Sequence, residues 1–129
     1  MVKHASAVLL LIGFVAVSCA FDLAHVSSTP TQFTPQIEAR KSFVIKDAVQ
    51  ISQAPCGYER TLRQGTNWNL VGTIPEGEVY KPKDQVLTVE CSNVFEAYLV
   101  VSKDSLVGFY LPVEREFVSI AEKIELPVN

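Results

Sequence analysis

Residues 97–112, AYLVVSKDSLVGFYLP, decide the fold of this chain. Two apolar runs flank a short polar connection, SKDS, at residues 102–105. Because so short a connection permits only antiparallel pairing, this stretch predicts a β-hairpin. Tyr98 and Val100 alternate with Leu99 and are also apolar, so we expect the hairpin to be buried on both faces.

The same period of two extends along most of residues 42–129, which is typical of strands that bury at least one face. Short turn signals, such as Pro75-Glu76-Gly77, separate the apolar runs. The fold class is therefore all-β, a small antiparallel barrel or sandwich, with Trp68 in its core. The predicted faces are Phe43, Ile45, Val49 and Ile51; Trp68, Leu70 and Ile74; Phe95, Ala97, Leu99 and Val101; and Val107, Phe109, Leu111 and Val113.

The C-terminal stretch 115–125 leaves two alternatives. Phe117, Ile120 and Ile124 lie at helical spacing, but FVSI at residues 117–120 also fits a strand. The strand is favoured because the preceding chain is β throughout.

Residues 1–18, MVKHASAVLLLIGFVAVS, have the pattern of an export signal: one lysine, then an apolar run ending in small residues. The run is shorter than the roughly 20 residues that a membrane span needs. Residues 16–19, AVSC, resemble the lipobox of bacterial lipoproteins, which predicts lipidation of Cys19. The alternative is ordinary signal cleavage before Phe21, which would release a soluble protein.

Residues 19–41 are polar and interrupted by prolines, and are expected to form a flexible spacer ahead of a β domain at 42–129. Loss of Lys3 with the signal leaves 10 of the 11 basic residues against 14 acidic ones, a net charge of −4. Such a balance argues against nucleic acid as a partner. We expect lipid on Cys19 to attach the protein to the bacterial envelope, facing the periplasm, with the outer membrane favoured; the alternative is secretion.

Three cysteines are present, Cys19, Cys56 and Cys91. Lipidation or removal of Cys19 leaves an even pair in an oxidising compartment. We therefore predict a disulfide between Cys56 and Cys91.

Two stretches resemble bacterial SH3-like modules. The stretch LRQGTNWNLVGTIPEGEVYKP at residues 62–82 is similar to their opening strands, and residues 97–112 are similar to their closing strands. The insert at 83–95 departs from that pattern and leaves the strand order open. The segments at 72–90, 96–101 and 106–114 together also resemble small envelope lipoproteins of proteobacteria, which supports the localisation and implies no activity.

Common catalytic constellations cannot be assembled from these residues. His4 leaves with the signal and His25 lies in the predicted spacer, so residues 42–129 contain no histidine for a triad, a general base or a zinc site. The glycines are isolated and do not form a phosphate loop. The pairs Glu76/Glu78 and Glu114/Glu116 are interpreted as solvated carboxylates, so we predict no enzyme activity, no catalytic residue, no metal and no cofactor.

An aromatic and basic set in the first half of the domain is the candidate binding surface. Its members are Tyr58, Arg60, Arg63, Tyr80 and Lys81. Cations beside aromatic rings can bind an acidic partner or a cell-wall polymer, although cations also protect strand edges. The function expected is a non-catalytic binding or assembly subunit. The alternative is a secreted, disulfide-stabilised inhibitor that blocks a partner protein through a loop such as 75–77.

Overall fold

The computed structural model describes residues 27–36, 41–52, 56 and 59–129. The regular secondary structure of this part of the chain is β-strand, which makes up 61% of it, and this confirms the predicted fold class. Within it there is no helix long and apolar enough to cross a membrane. Residues 1–18 and Cys19 lie outside the described residues, so the signal segment and the lipidation stay predictions.

Twelve strands, joined by turns and loops, occur in the described residues. They are β1 (Thr29–Pro30), β2 (Thr34–Pro35), β3 (Ser42–Val44), β4 (Val49–Ile51), β5 (Arg60–Leu62), β6 (Asn67–Ile74), β7 (Gly77–Pro82), β8 (Thr88–Glu90), β9 (Val94–Glu96), β10 (Tyr98–Ser102), β11 (Ser105–Leu111) and β12 (Glu116–Glu125). The predicted strand at the C-terminus is therefore confirmed as β12.

Eight of these strands form one antiparallel sheet that curls into a half-barrel. Its order is β1-β12-β11-β10-β7-β6-β2, and β3 also pairs with β6. Two smaller pairs, β4 with β5 and β8 with β9, complete the described β structure. The central strands β6, β7, β10, β11 and β12 follow one another as a meander, because tight turns join most of them.

The hairpin predicted from residues 97–112 is formed by β10 and β11. Lys103 and Asp104 occupy its turn with φ values of 51° and 66°. Positive φ at both central residues matches the twist of the flanking strands, which explains why so short a connection suffices. Pro75 and Glu76 likewise form the turn between β6 and β7.

Both faces of the large sheet are covered, as the sequence predicts. The larger cluster contains Trp68, Leu99 and Phe109, all fully buried. The Trp68 indole donates its Nε1 hydrogen to Thr66 Oγ1 over 3.0 Å, so its one polar group is satisfied inside the core. The smaller cluster, on the opposite face, is Ile74, Val79, Val100 and Tyr110.

A bulge in β6 corrects the predicted position of Ile74. The register shifts between Leu70 and Gly72, so one extra residue stands in β6 opposite β7. Beyond a bulge the alternation of side chains is reversed. Leu70 therefore stays with Trp68 in the larger cluster, whereas Ile74 packs in the smaller one.

A second bulge, in β11, corrects the predicted face of Val107. Opposite the adjacent residues Val100 and Val101 of β10 stand Gly108 and Leu106, so Val107 is an extra residue in β11. As a result Val107 packs against the smaller cluster while Phe109 lies in the larger one. Val113, predicted on the same face, is 75% exposed because β11 has already ended in a turn.

Part of the predicted spacer belongs to the sheet. β1 pairs with β12 through Thr29↔Phe117, and β2 pairs with β6 through Pro35↔Gly72. Phe33, between the two pairings, packs against the smaller cluster. Proline prevents a helix here but permits short pairings at the edge of a sheet. This N-terminal segment (residues 28–36) therefore pairs with a strand at each end of the main sheet, β12 and β6. The β structure thus starts before the predicted boundary at residue 42.

The predicted disulfide is present. Cys56 and Cys91 are bonded, with their Cα atoms 5.5 Å apart. Arg60 on β5 also contacts β8, since its guanidinium donates to Glu90 Oε2 at 2.7 Å and to the Thr88 carbonyl at 2.6 Å. The disulfide and this ion pair together join the region of β5 to that of β8.

Candidate functional site: an aromatic groove

An open groove of about 940 Å³ lies between the N-terminal segment and the sheet. We call it the aromatic groove. Its lining residues are Pro30, Thr31, Gln32, Phe33, Pro35, Val71, Lys81, Tyr98, Tyr110, Pro112 and Arg115. A site of this volume falls at the upper end of the range of about 300–1,000 Å³ that small-ligand sites usually have.

The N-terminal segment is positioned by specific contacts at both of its ends. The Thr31 amide donates to the Arg115 carbonyl over 3.2 Å, and the Gln36 amide donates to the Val71 carbonyl over 3.0 Å. Ser28 Oγ donates to a Glu116 carboxylate oxygen at 2.8 Å. One wall of the groove is therefore fixed to β6 on one side and to the start of β12 on the other.

Aromatic rings form the floor of the groove. Tyr98 and Tyr110 are register partners on β10 and β11, so their side chains lie side by side on one face. Phe33 stacks on Tyr110 with ring centroids 5.1 Å apart and planes inclined by 14°. Tyr110 is buried, whereas Phe33 and Tyr98 are half-buried and present ring surface to the groove.

Two cations line the groove from different elements. Lys81, on β7, places its Nζ 5.8 Å from the centre of the Tyr98 ring, within the range of a cation–π contact. Arg115 ends the turn between β11 and β12 at a φ of 59°, and its amide donates to the Leu111 carbonyl over 2.8 Å. Both side chains are exposed, and neither is ion-paired with a described carboxylate.

The groove carries positive charge in an acidic protein. No Asp or Glu occurs among the described residues that line it, although the whole chain has a net charge of −3. Burial raises the pKa of Tyr110 above its ordinary value, and the nearby Arg115 charge partly opposes that rise. The tyrosine hydroxyl therefore stays protonated at neutral pH, and the local charge comes from Lys81 and Arg115.

The predicted binding residues do not form one patch. Lys81 lines the aromatic groove, and Tyr58 lies outside the described residues. Arg60 is bound to Glu90 and Thr88, and the Arg63 guanidinium donates to the Asp84 carbonyl over 2.9 Å. These two arginines make contacts within the fold, away from the residues that line the groove.

Tyr80 requires a correction, because the sequence places it on the binding surface and the structure places it in the larger core cluster, 2% exposed. β-strand alternation explains this, since Tyr80 and Lys81 point to opposite faces of β7. The Tyr80 hydroxyl donates to Glu78 Oε1 over 3.0 Å, and Lys41 Nζ pairs with the same oxygen at 2.9 Å. Burial, followed by the Glu78 hydrogen bond, raises the pKa of Tyr80 above its ordinary value.

Three of the four carboxylates in the predicted acidic pairs accept hydrogen bonds from other residues of the fold. Glu78 is bound by Lys41 and Tyr80, as above, while Glu76 accepts from Thr31 Oγ1 at 2.9 Å and Glu116 from Ser28. Glu114 is exposed. Within the described part of the chain, no three His, Cys, Asp or Glu side chains are grouped so that they could hold a metal ion.

Comparison with family models, curated proteins and solved structures gives no match for this chain. The evidence for a function therefore comes from the groove itself. Sequence reasoning placed Lys81 on the candidate binding surface, and the structure places it in the lining of the groove. It did not identify Phe33, which reaches the groove through long-range pairing of the N-terminal segment. It also did not identify Arg115, because the local turn between β11 and β12 gives no sign that the N-terminal segment docks beside it.

Proposed function

We propose that this protein is a non-catalytic binding module of the bacterial cell envelope, and that the aromatic groove is its binding site. The observation that supports this proposal is the combination of half-buried rings with two cations that have no described carboxylate partner. Aromatic rings provide contact area at low entropic cost, and Arg and Tyr are enriched where proteins bind their partners.

Lipid on Cys19 would hold the module at the membrane. The chain outside the groove is acidic, so an anionic lipid surface offers it no electrostatic attraction. Attachment therefore depends on the acyl chains, of which more than one is needed for stable anchoring. A docking or assembly subunit fits this arrangement, with either a protein or a cell-wall polymer in the groove.

The test is capture from crosslinked envelopes. Wild-type protein is compared with the Lys81→Gln/Arg115→Gln variant and with a matched control, Lys46→Gln/Lys123→Gln, which removes two exposed lysines that do not line the groove. We expect the groove variant to lose its partner and the control to retain it. Equal capture by both variants would show that the groove is not the binding site.

The mass of the mature protein in the same preparation tests the anchor. We expect an N-terminus at Cys19 that carries lipid. An unmodified N-terminus at Phe21, with the protein released into the medium, would exclude the anchor and favour the secreted inhibitor.

A further inference from the structure

Two aromatic rings that line the aromatic groove are only partly covered. Phe33 and Tyr98 are both neighbours of the buried Tyr110, since Phe33 stacks on it and Tyr98 is its register partner. Both are half-buried, so each has ring surface that the protein does not cover. A ligand with flat apolar faces at successive positions would contact both rings.

The two cations in the groove favour a ligand that carries negative charge. Lys81 lies on β7 and Arg115 in the turn between β11 and β12, and both line the same groove, so they can engage two separate anionic groups. Carboxylates form charge-assisted hydrogen bonds with both side chains, and a planar guanidinium binds a carboxylate through two parallel bonds. Since no described lining residue is acidic, nothing inside the groove opposes such a ligand.

The strand order disfavours an extended peptide as the occupant. Peptides commonly bind by adding a strand to an exposed sheet edge. Here β1 covers β12 at one end of the sheet order, and β2 and β3 cover β6 at the other. The groove thus offers ring faces and cations, whereas the edges of the central strands are partly occupied by the protein's own chain.

We infer that the aromatic groove binds an acidic oligosaccharide. The apolar faces of sugar rings stack on Phe33 and Tyr98, and carboxylates of the sugars pair with Lys81 and Arg115. The groove volume of about 940 Å³ accommodates a few sugar units. This inference rests on the proposed function, since it names the ligand class of the same site.

Isothermal titration with a tetramer of galacturonic acid, at low ionic strength, tests the inference. The methyl-esterified tetramer keeps the sugar rings and removes the charge, and hexaglutamate keeps the charge and removes the rings. We expect the acidic tetramer to bind at least tenfold more tightly than either. Lys81→Gln and Arg115→Gln should each weaken its binding about tenfold, the loss of one charge-assisted contact of about 1.4 kcal/mol. Lys123→Gln should leave the affinity unchanged.

Three results would overturn the inference: no binding of the acidic tetramer, equal binding of the esterified tetramer, or equal binding of hexaglutamate, which would assign the groove to acidic peptides. Each of these is compatible with groove-dependent capture from envelopes, in which case the module binds another ligand there. If the groove variant also captures its partner normally, the proposed function fails as well.

Discussion

Substituting Gly72 with alanine should release the N-terminal segment from the sheet. A Cβ atom at this position would lie 2.5 Å from the backbone oxygen of Thr34 and would overlap the edge of the Phe33 ring. Backbone atoms cannot move aside as a flexible side chain can. The segment must therefore shift away from β6, which removes one wall of the aromatic groove.

The expected loss follows from what this segment contributes. Stacking of Phe33 on Tyr110 is worth about 0.5–1.5 kcal/mol beyond the burial of the ring. Each backbone hydrogen bond to β6 adds about 1 kcal/mol. Overpacking of a well-packed site costs about 1–3 kcal/mol, which is of the same size as these contributions. We therefore expect Gly72→Ala to lower the free energy of unfolding by about 2–4 kcal/mol.

Urea unfolding followed by Trp68 fluorescence measures this loss. Trp68 lies in the opposite cluster, so it reports global unfolding rather than the local change. At a slope of about 1–1.5 kcal/mol per M of urea, the midpoint should fall by about 2 M. The control Gln36→Ala changes an exposed side chain of the same segment and should alter the free energy by no more than about 0.5 kcal/mol.

A double-mutant cycle makes the reasoning refutable. Phe33→Ala and Gly72→Ala remove the same docking contact, so their combined loss should be at least about 1 kcal/mol smaller than the sum of the single losses. Additive losses, or a Gly72→Ala protein as stable as wild type, would mean that the segment does not dock on β6 in solution.

Other parts of the structure give further predictions. Trp68→Ala should lower the free energy of unfolding, measured with urea, by about 3–5 kcal/mol because the side chain is fully buried. Fluorescence emission of the folded wild type at the wavelength of a solvent-exposed tryptophan would contradict that burial. Reduction of the Cys56–Cys91 disulfide, which closes 35 residues of sequence separation, should lower stability by up to about 4 kcal/mol; two alkylatable thiols in the unreduced, unfolded protein would exclude the bond. Since burial raises the pKa of Tyr80 and Tyr110 in the folded state, the unfolded chain loses these protons first, and stability should decline as the pH rises above 10. Thermal melts from pH 8 to 11 should show a shallower decline for the Tyr110→Phe variant, and an equal decline would contradict the assignment.

The period of two predicted the strand content and most of the core. Tyr98, Leu99 and Val100 show why, since alternating burial on both faces leaves a pattern that sequence alone displays. The same pattern predicts the wrong face for Ile74 and Val107, because bulges after Leu70 and Leu106 reverse the alternation. A glycine follows each extra residue, but glycine also occurs in turns, so its presence does not locate a bulge.

The candidate site was less predictable than the fold. Lys81 was identified because it stands next to aromatic residues in sequence. Phe33 was missed because a polar, proline-containing segment gives no sign that it will pair with strands about 40 and 85 residues away. Tyr80 was misplaced because an aromatic residue beside a cation can occupy either face of a strand, and only the packing of the other strands decides which face is covered.

The most direct test of the groove as the binding site is photo-crosslinking in intact envelopes. A benzophenone side chain placed at Gln32, exposed in the lining of the groove, is compared with one at Lys123, exposed on β12 and absent from the lining. Benzophenone inserts into C–H bonds of proteins and saccharides alike, so either ligand would be captured. We predict a discrete adduct from position 32 that weakens when Lys81→Gln is added, and none from position 123. Equal adducts from both positions, or an adduct from position 123 alone, would contradict the assignment of the groove as the binding site.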